Sequence, residues 1–341
     1  MSNKSKKIRL DGNEARSVFA GLSERYRIVA PINKPGCGRL SDTDLITYDE
    51  IKNLDQIDFS DQASFSAKHL LFPIRETMFT FRDKKTSEPK EDALPVIVVL
   101  RSCDIHAMEV IDEHFLRGGG MSDTYYEKRR GKIKFFLMEC CESFDNCYCV
   151  SLGTNRTDNY SAFIRKSNEH YEFLIKDKDM EGYFPARNDN VEDPKFVKEN
   201  KRSVDIPEQI DISLFEDDMW KEYSLRCIAC GRCNTSCPTC TCFSVQDIPS
   251  DRDNAIDRRR IWSSCHVKEF SLLAGGHNFR NVYGDRMRYR TLHKISDFKK
   301  RTGRQMCVGC GRCDDVCPVY ISMFGCIDKI TAVTGKKKSD G

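Results

Sequence analysis

The sequence lacks any hydrophobic run long enough to cross a membrane. Its most apolar stretch, residues 93–100, is short and contains Pro95, whereas a spanning helix needs roughly 20 apolar residues. The first residues, MSNKSKKIRLDGNE, lack the apolar segment of a secretory signal peptide. From both absences we expect a soluble, cytoplasmic protein that does not associate with a membrane.

The chain also lacks a strong net charge, with 55 Lys and Arg against 52 Asp and Glu and a formal value of +3. Basic residues are nevertheless concentrated between residues 251 and 304, a segment that includes Arg258, Arg259 and Arg260. No nucleic-acid-binding motif accompanies them, so we expect no nucleic-acid partner. We interpret this basic segment as a docking face for an acidic redox partner, with ordinary solvated surface as the alternative.

One residue type is abundant, because the chain contains 18 cysteines. Eight of them form two copies of the run C-x2-C-x2-C-x3-C-P, which we call the first and second ladders. In bacterial two-cluster ferredoxins, the fourth cysteine of each such run ligates the other cluster. The ladders therefore predict two [4Fe–4S] clusters, the first held by Cys227, Cys230, Cys233 and Cys317 and the second by Cys237, Cys307, Cys310 and Cys313.

Two other uses of cysteine fit the sequence poorly. Zinc ribbons place their C-x2-C pairs roughly 15–20 residues apart and need no third cysteine or C-x3-C-P ending. A disulfide framework is typical of short secreted chains, whereas this chain is long and carries no secretory signal. Iron–sulfur ligation is therefore the favoured interpretation.

The amino-terminal region, residues 1–215, reads as an α/β domain. Apolar periodicity predicts a helix over residues 13–25 and a β–α–β unit in which Ser102 or Asp104 caps the helix. A hairpin is predicted next, and residues 177–217 read as a surface linker. The remaining predicted elements are strands at 26–32, 95–100 and 132–138, a helix over 102–116, and hairpin strands at 160–166 and 171–176.

Residues 216–335 read as an α-helical, ferredoxin-like dicluster [4Fe–4S] domain. The segment between Cys237 and Cys307 is too long for a bare ferredoxin hairpin, so we expect it to be a long basic insertion. A helix is predicted over 319–333, with Pro318 near its start. Residues 336–341 are expected to form a disordered tail.

The β–α–β unit also predicts that four further cysteines meet. Cys103 and Cys140 follow neighbouring parallel strands, whose carboxyl ends lie at one edge of the sheet. The loop after Cys140 supplies Cys147 and Cys149. Our hypothesis is a third [4Fe–4S] site at these four residues, with ordinary packing of small buried cysteines as the alternative.

The other cysteines carry weaker signals. Cys240 and Cys242 follow the first ladder directly, and Cys265 lies further along the insertion. We expect the first two to hydrogen-bond or pack beside the clusters rather than to ligate them, and we expect no ligation by Cys265.

Taken in order, the motifs resemble those of the iron–sulfur A subunit of anaerobic sulfite reductase, a family related to the beta subunits of sulfhydrogenases. The resemblance covers most of the chain, from about residue 67 to residue 320. The two ladders alone are a generic feature of iron–sulfur proteins, whereas the whole ordered set of motifs is specific to this family. It rests on residues 67–73 with Glu76, 101–105, 123–126, 129–130, 139–140, 147–149, 153–154, 237–242, Trp262 with Cys265, 274–280 and 307–313.

This resemblance implies an electron-transfer role without a catalytic residue on the chain. It implies a flavin subunit that oxidises NADH and a sirohaem subunit that reduces sulfite to sulfide, with this chain relaying electrons between them. Neither flavin nor sirohaem is expected on the chain itself. The alternative is a beta subunit of a soluble NAD(P)-linked hydrogenase or sulfhydrogenase, and a third reading is a cluster-bearing sensor or nucleic-acid-binding protein.

Overall fold

The computed structural model describes residues 5–40, 42–89, 94–250 and 254–339, and its strands form two sheets. The larger sheet has the order β1-β9-β8-β7-β6-β2-β3 and the smaller sheet has the order β10-β11-β4-β5. The strands are β1 Lys6–Leu10, β2 Arg27–Lys34, β3 Leu45–Glu50, β4 Arg75–Arg82, β5 Lys85–Ser87, β6 Val96–Leu100, β7 Ile133–Met138, β8 Ala162–Ser167, β9 His170–Ile175, β10 Phe243–Pro249 and β11 Ile256–Trp262.

Helices cover the larger sheet and build the region of the ladders. They are α1 Gly12–Ser23, α2 Ser102–Asp112, α3 Thr124–Arg130, α4 Lys178–Glu181, α5 Met219–Arg226, α6 Arg232–Ser236, α7 Tyr283–Leu292, α8 Phe298–Thr302, α9 Arg312–Asp315 and α10 Met323–Ser339. In the described part of the chain, no helix has both the length and the apolar character needed to span a membrane.

The first predicted helix is confirmed, within two residues at each end, by α1. The Asp11 side chain accepts hydrogen bonds from the first-turn amides and Glu14 closes a capping box, which stabilises the helix start. Its apolar stripe is buried against the sheet, as the helical spacing predicts. The buried residues of that stripe are Ala15, Val18, Phe19 and Leu22.

The β–α–β unit is also confirmed, since β6 and β7 pair in parallel on either side of α2 in the chain. The predicted cap is wrong, because Arg101 occupies the cap position and Ser102 and Asp104 lie inside the first turn. Asp104 is instead fully buried and binds Arg312. A π-helical turn then continues α2 through Arg117.

The predicted hairpin is confirmed by the antiparallel pair β8 and β9. The segment 177–217, predicted as a surface linker, is more deeply packed than expected. Met180, Phe184, Val191 and Val197 are each at least nine-tenths buried along it. The segment therefore contributes apolar side chains to the core instead of only connecting two domains.

The predicted boundary at residue 215 is crossed by the smaller sheet. Strand β4 of the amino-terminal region pairs antiparallel with β11 of the insertion. The purely α-helical description of the ladder region is not confirmed, because β10 and β11 lie within it. The last helix begins at Met323, four residues later than predicted, and includes the backbone of residues 336–339 of the predicted tail. Residues 340–341 lie outside the described residues.

Each arginine of the triplet in the basic insertion, which was predicted to be part of a docking face, is paired with an acid. Arg260 is 2% exposed and binds Glu76 and Asp123. It therefore stabilises the packing of β11 and is not accessible to a partner protein. Arg258 pairs with Asp247 on the neighbouring strand, and Arg259 pairs with Asp257. Composition alone cannot show these pairings: strand pairing brings an acid beside Arg258 and Arg260, and Arg259 pairs with an acid of its own strand.

Candidate iron-sulfur sites

Five cysteines from both ladders line one pocket near the surface. Cys227, Cys230 and Cys233 come from the first ladder, and Cys313 and Cys317 come from the second. Cys230 is exposed while the other four are half-buried. Four of these thiols, without Cys313, are the set predicted for the first cluster, and their chemistry fits a [4Fe–4S] site.

Backbone amides point at two sulfurs of this pocket. The Ala229 amide donates to Cys227 Sγ at 3.4 Å and the Ile321 amide donates to Cys317 Sγ at 3.2 Å. Ala229 and Tyr320 both adopt the left-handed conformation, with φ of 55° and 54°. Such conformations are strained for residues other than glycine. In these loops the strain accompanies backbone amides that point at the sulfurs. Hydrogen bonds of this kind stabilise iron-bound sulfur.

The second set lies deeper. Burial raises the pKa of the Cys310 thiol to about 12, and the neighbouring Cys237 adds to this increase. Burial also raises the pKa of Cys313, and the neighbouring Asp314 and Cys237 add to this increase. Cys237 of the first ladder therefore lies near thiols of the second. The phenolic oxygen of Tyr148 lies 3.3 Å from Cys307 Sγ. Burial favours the neutral thiol of Cys310 in the absence of a metal, and iron would hold it as a thiolate.

The four cysteines of the hypothetical third site lie beside the second set. Cys103 and Cys149 pack in one small cluster that also contains Cys310. Burial and the nearby thiols of Cys310, Cys149 and Cys140 raise the pKa of Cys147. The topology thus brings the four cysteines to one edge of the sheet. They also contact Cys310 of the second ladder, which the sequence did not predict.

Direct hydrogen bonds join the loop of the third site to the second ladder. The Tyr148 amide donates to the Gly309 carbonyl at 2.8 Å, and Thr154 Oγ1 donates to the Val308 carbonyl at 2.7 Å. The Gln62 amide donates to the Cys310 carbonyl at 3.0 Å. The two regions are therefore in backbone contact.

Gly309 is required at this contact. Its φ is +65°, and an added Cβ would lie 2.7 Å from the carbonyl carbon of Tyr148. Gly309→Ala should therefore separate the two loops and lower the thermal unfolding midpoint. Gly303 is a matched control, because it has a φ of +80° and nothing within 4 Å of an added Cβ. Gly303→Ala is expected to cost only the backbone strain, about 1–2 kcal/mol, and an equal loss in both variants would contradict the close-contact argument.

A buried ion pair also connects the amino-terminal region to the second ladder. Arg312 Nη1 and Nη2 donate to the two Asp104 oxygens at 2.6 and 2.8 Å, and both side chains are at most 1% exposed. Arg312 Nε donates to the Ala63 carbonyl, and Tyr48 donates to Asp104. Sequence reasoning missed this pair because no local pattern links residues so far apart in the chain.

Cys240, Cys242 and Cys265 surround the buried amide of Asn234. Its Nδ2 lies 3.7, 3.9 and 3.3 Å from their respective sulfurs. This agrees with the expectation that Cys240 and Cys242 hydrogen-bond beside the cluster residues, and it adds Cys265, for which no such contact was predicted. Asn234 itself was not singled out from the sequence, although it directly follows the ladder residue Cys233.

Comparison with known proteins adds two matches. Residues 226–321 match the family of 4Fe-4S dicluster domains. The chain is 29% identical over 342 residues to sulfhydrogenase 2 subunit beta of Pyrococcus furiosus, covering 95% of this chain and 98% of the relative. That relative is named for a sulfhydrogenase and not for a sulfite reductase. No solved structure matches significantly. Residues 226–321 are therefore a 4Fe-4S dicluster domain, within a chain that is similar over most of its length to a sulfhydrogenase beta subunit.

Proposed function

We propose that this chain is an iron–sulfur electron-transfer subunit of a hydrogenase or sulfhydrogenase complex. The observation that carries the proposal is the pocket in which Cys317 of the second ladder joins Cys227, Cys230 and Cys233 of the first. Bound [4Fe–4S] clusters supply one-electron transfer. The task of the protein is then to hold the clusters in place and to set their environment.

The arrangement of the thiols supports a relay. Cys313, assigned to the second cluster, also lines the pocket of the first. Cys310, likewise assigned to the second, packs with Cys103 and Cys149 of the third site. Adjacent sites therefore extend from the exposed Cys230 into the interior. A relay needs such adjacency, whereas a single storage or sensing cluster does not.

The similarity to a sulfhydrogenase beta subunit favours the hydrogenase reading over the sulfite reductase reading. Under it, the expected partners are a nickel–iron subunit and a subunit that exchanges electrons with NAD(P) through a flavin. The second candidate is the A subunit of anaerobic sulfite reductase, with a flavin subunit that oxidises NADH and a sirohaem subunit. What favours this candidate is the ordered set of motifs between residues 67 and 320.

Affinity purification of the native complex under anaerobic conditions discriminates between these readings. A copurifying nickel–iron chain would support the hydrogenase complex. The absorption spectrum of sirohaem in the purified material would instead support sulfite reductase. If the chain purifies alone, without iron and without either partner, the electron-transfer proposal is wrong.

The third site predicts an iron content of about twelve atoms per chain, since each [4Fe–4S] cluster contributes four. Cys149→Ser should lower this count to about eight, because Cys149 lies at the third site. Cys141→Ser is the matched control, since Cys141 is exposed and follows the predicted ligand Cys140. Iron and sulfide analysis of the three proteins is the measurement. A count of about eight iron atoms in the unmodified chain would refute the hypothesis of a third cluster.

A further inference from the structure

Three buried cations surround the thiols at the centre of the dicluster domain. Lys68, Arg290 and Lys294 are at most 4% exposed. None of the three has an ion pair with a carboxylate among the residues that the structure describes. Buried cations are normally paired with acids, because desolvation of an unpaired charge is costly. Their counter-charge must therefore come from another group.

Two of these cations approach the residues of the second cluster. Lys294 Nζ donates to Thr239 Oγ1 at 2.8 Å, and that hydroxyl lies 3.4 Å from Cys237 Sγ. Lys68 Nζ donates to the carbonyls of Asn234, Cys237 and Cys240 at 2.8, 2.9 and 2.9 Å. Both ammonium groups are thus fixed beside the one first-ladder cysteine that is assigned to the second cluster.

The third cation lies between the two sites. Arg290 lines the first pocket together with Cys233 and Cys313. Among the residues that the structure describes, its Nε and Nη2 have no hydrogen-bond partner, and Nη1 donates to the sulfur of Met323 at 3.3 Å. A guanidinium with open donors beside thiols is arranged for a negatively charged group that those thiols hold.

Acidic residues do not cancel this charge at the second site. Asp314 lines the first pocket together with Arg290, and its Oδ1 lies 3.4 Å from Cys313 Sγ. Asp104 is neutralised by Arg312. Even with Asp314 counted at both sites, three buried cations face one acid at the second site. The first pocket is lined by Asp314, the buried Arg290 and the exposed Arg232, and solvent screens the charge of an exposed side chain.

We propose that Lys68, Arg290 and Lys294 form a cationic wall that stabilises the reduced state of the second cluster and so raises its potential above that of the first cluster. Reduction adds one electron and one negative charge to a cluster, and a fixed positive charge in a low-dielectric interior favours that form. The inference rests on the proposed function, since it requires clusters at both sites.

The test is a redox titration of the purified chain, monitored by electron paramagnetic resonance. Signals are assigned to each cluster by their loss in Cys230→Ser and in Cys310→Ser. In the unmodified chain we expect the second cluster to become reduced first. Lys294→Met should lower its ratio of reduced to oxidised form at least tenfold at the original midpoint, which corresponds to about 59 mV for one electron. Lys294→Arg should retain most of the original potential.

Lys128→Met is the matched control, because it removes a surface charge that pairs with Glu88. It should leave both potentials unchanged. Earlier reduction of the first cluster would overturn the proposal, and so would a change of less than twofold in Lys294→Met. If Lys294→Met fails to assemble the second cluster, Lys294→Gln decides, because it removes the positive charge while keeping an N–H donor for Thr239. A lower potential in that variant supports the proposal, and an unchanged one overturns it.

The outcomes separate this inference from the proposed function. No [4Fe–4S] signal in the unmodified chain would refute the electron-transfer role itself. Normal signals that do not respond to the substitutions would refute only the cationic wall.

Discussion

Cys317→Ser is expected to abolish the first [4Fe–4S] cluster, although residue 317 belongs to the second ladder. Its thiol lines the same pocket as Cys227, Cys230 and Cys233, and it accepts a backbone hydrogen bond from Ile321 there. Iron–sulfur clusters prefer soft thiolate ligands, so the serine hydroxyl is a poorer ligand for iron. We expect a loss of about four iron atoms and no electron transfer from reduced dye through the assembled complex.

The identity of the lost cluster is the decisive measurement. The remaining paramagnetic signal of Cys317→Ser should match that of Cys230→Ser and differ from that of Cys310→Ser. Cys326→Ser serves as a control. This buried cysteine lies in α10, outside both ladders, where it contacts Thr291. A signal that matches Cys310→Ser would show that each ladder keeps its own fourth cysteine.

The spacing of the cysteines along the chain was enough to predict much of the ligand arrangement at these sites. The ladder predicts a cross-ligated pair because the positions of three thiols within seven residues leave the fourth ligand to come from elsewhere. Parallel strand order likewise predicts that Cys103 and Cys140 meet at one sheet edge. Both inferences depend only on residues near one another in sequence or on a rule of strand topology.

What could not be predicted depends on pairing between distant segments. The arginine triplet in β11 looked like free charge until the strand paired with β4, which brings Glu76 beside Arg260. Asp104 matched a helix cap by its position, yet its partner lies at residue 312. Charge counts and capping rules describe a residue by its neighbours in sequence, and these residues are governed by their neighbours in space.

The ion pair between Asp104 and Arg312 leads to the largest expected effect on stability. Arg312→Met would leave the Asp104 carboxylate fully buried, and within the described part of the chain the Tyr48 hydroxyl would be its one remaining side-chain partner. Removing one member of a buried pair typically costs about 3–5 kcal/mol, because the remaining charge is uncompensated. We therefore expect a clear fall in the guanidinium midpoint of the anaerobic protein, followed by circular dichroism.

Two further variants separate the charge from the loss of packing. Arg117→Met breaks a surface pair with Glu113 and should cost at most about 1 kcal/mol. The double variant Asp104→Leu with Arg312→Met removes both charges, and it should recover part of the stability lost in Arg312→Met alone. If the double variant is less stable than the single one by the full cost of a second substitution, the buried charge is not the cause. Because Arg312 lies between Cys310 and Cys313, the same pair that stabilises the fold also holds the second ladder against the amino-terminal sheet.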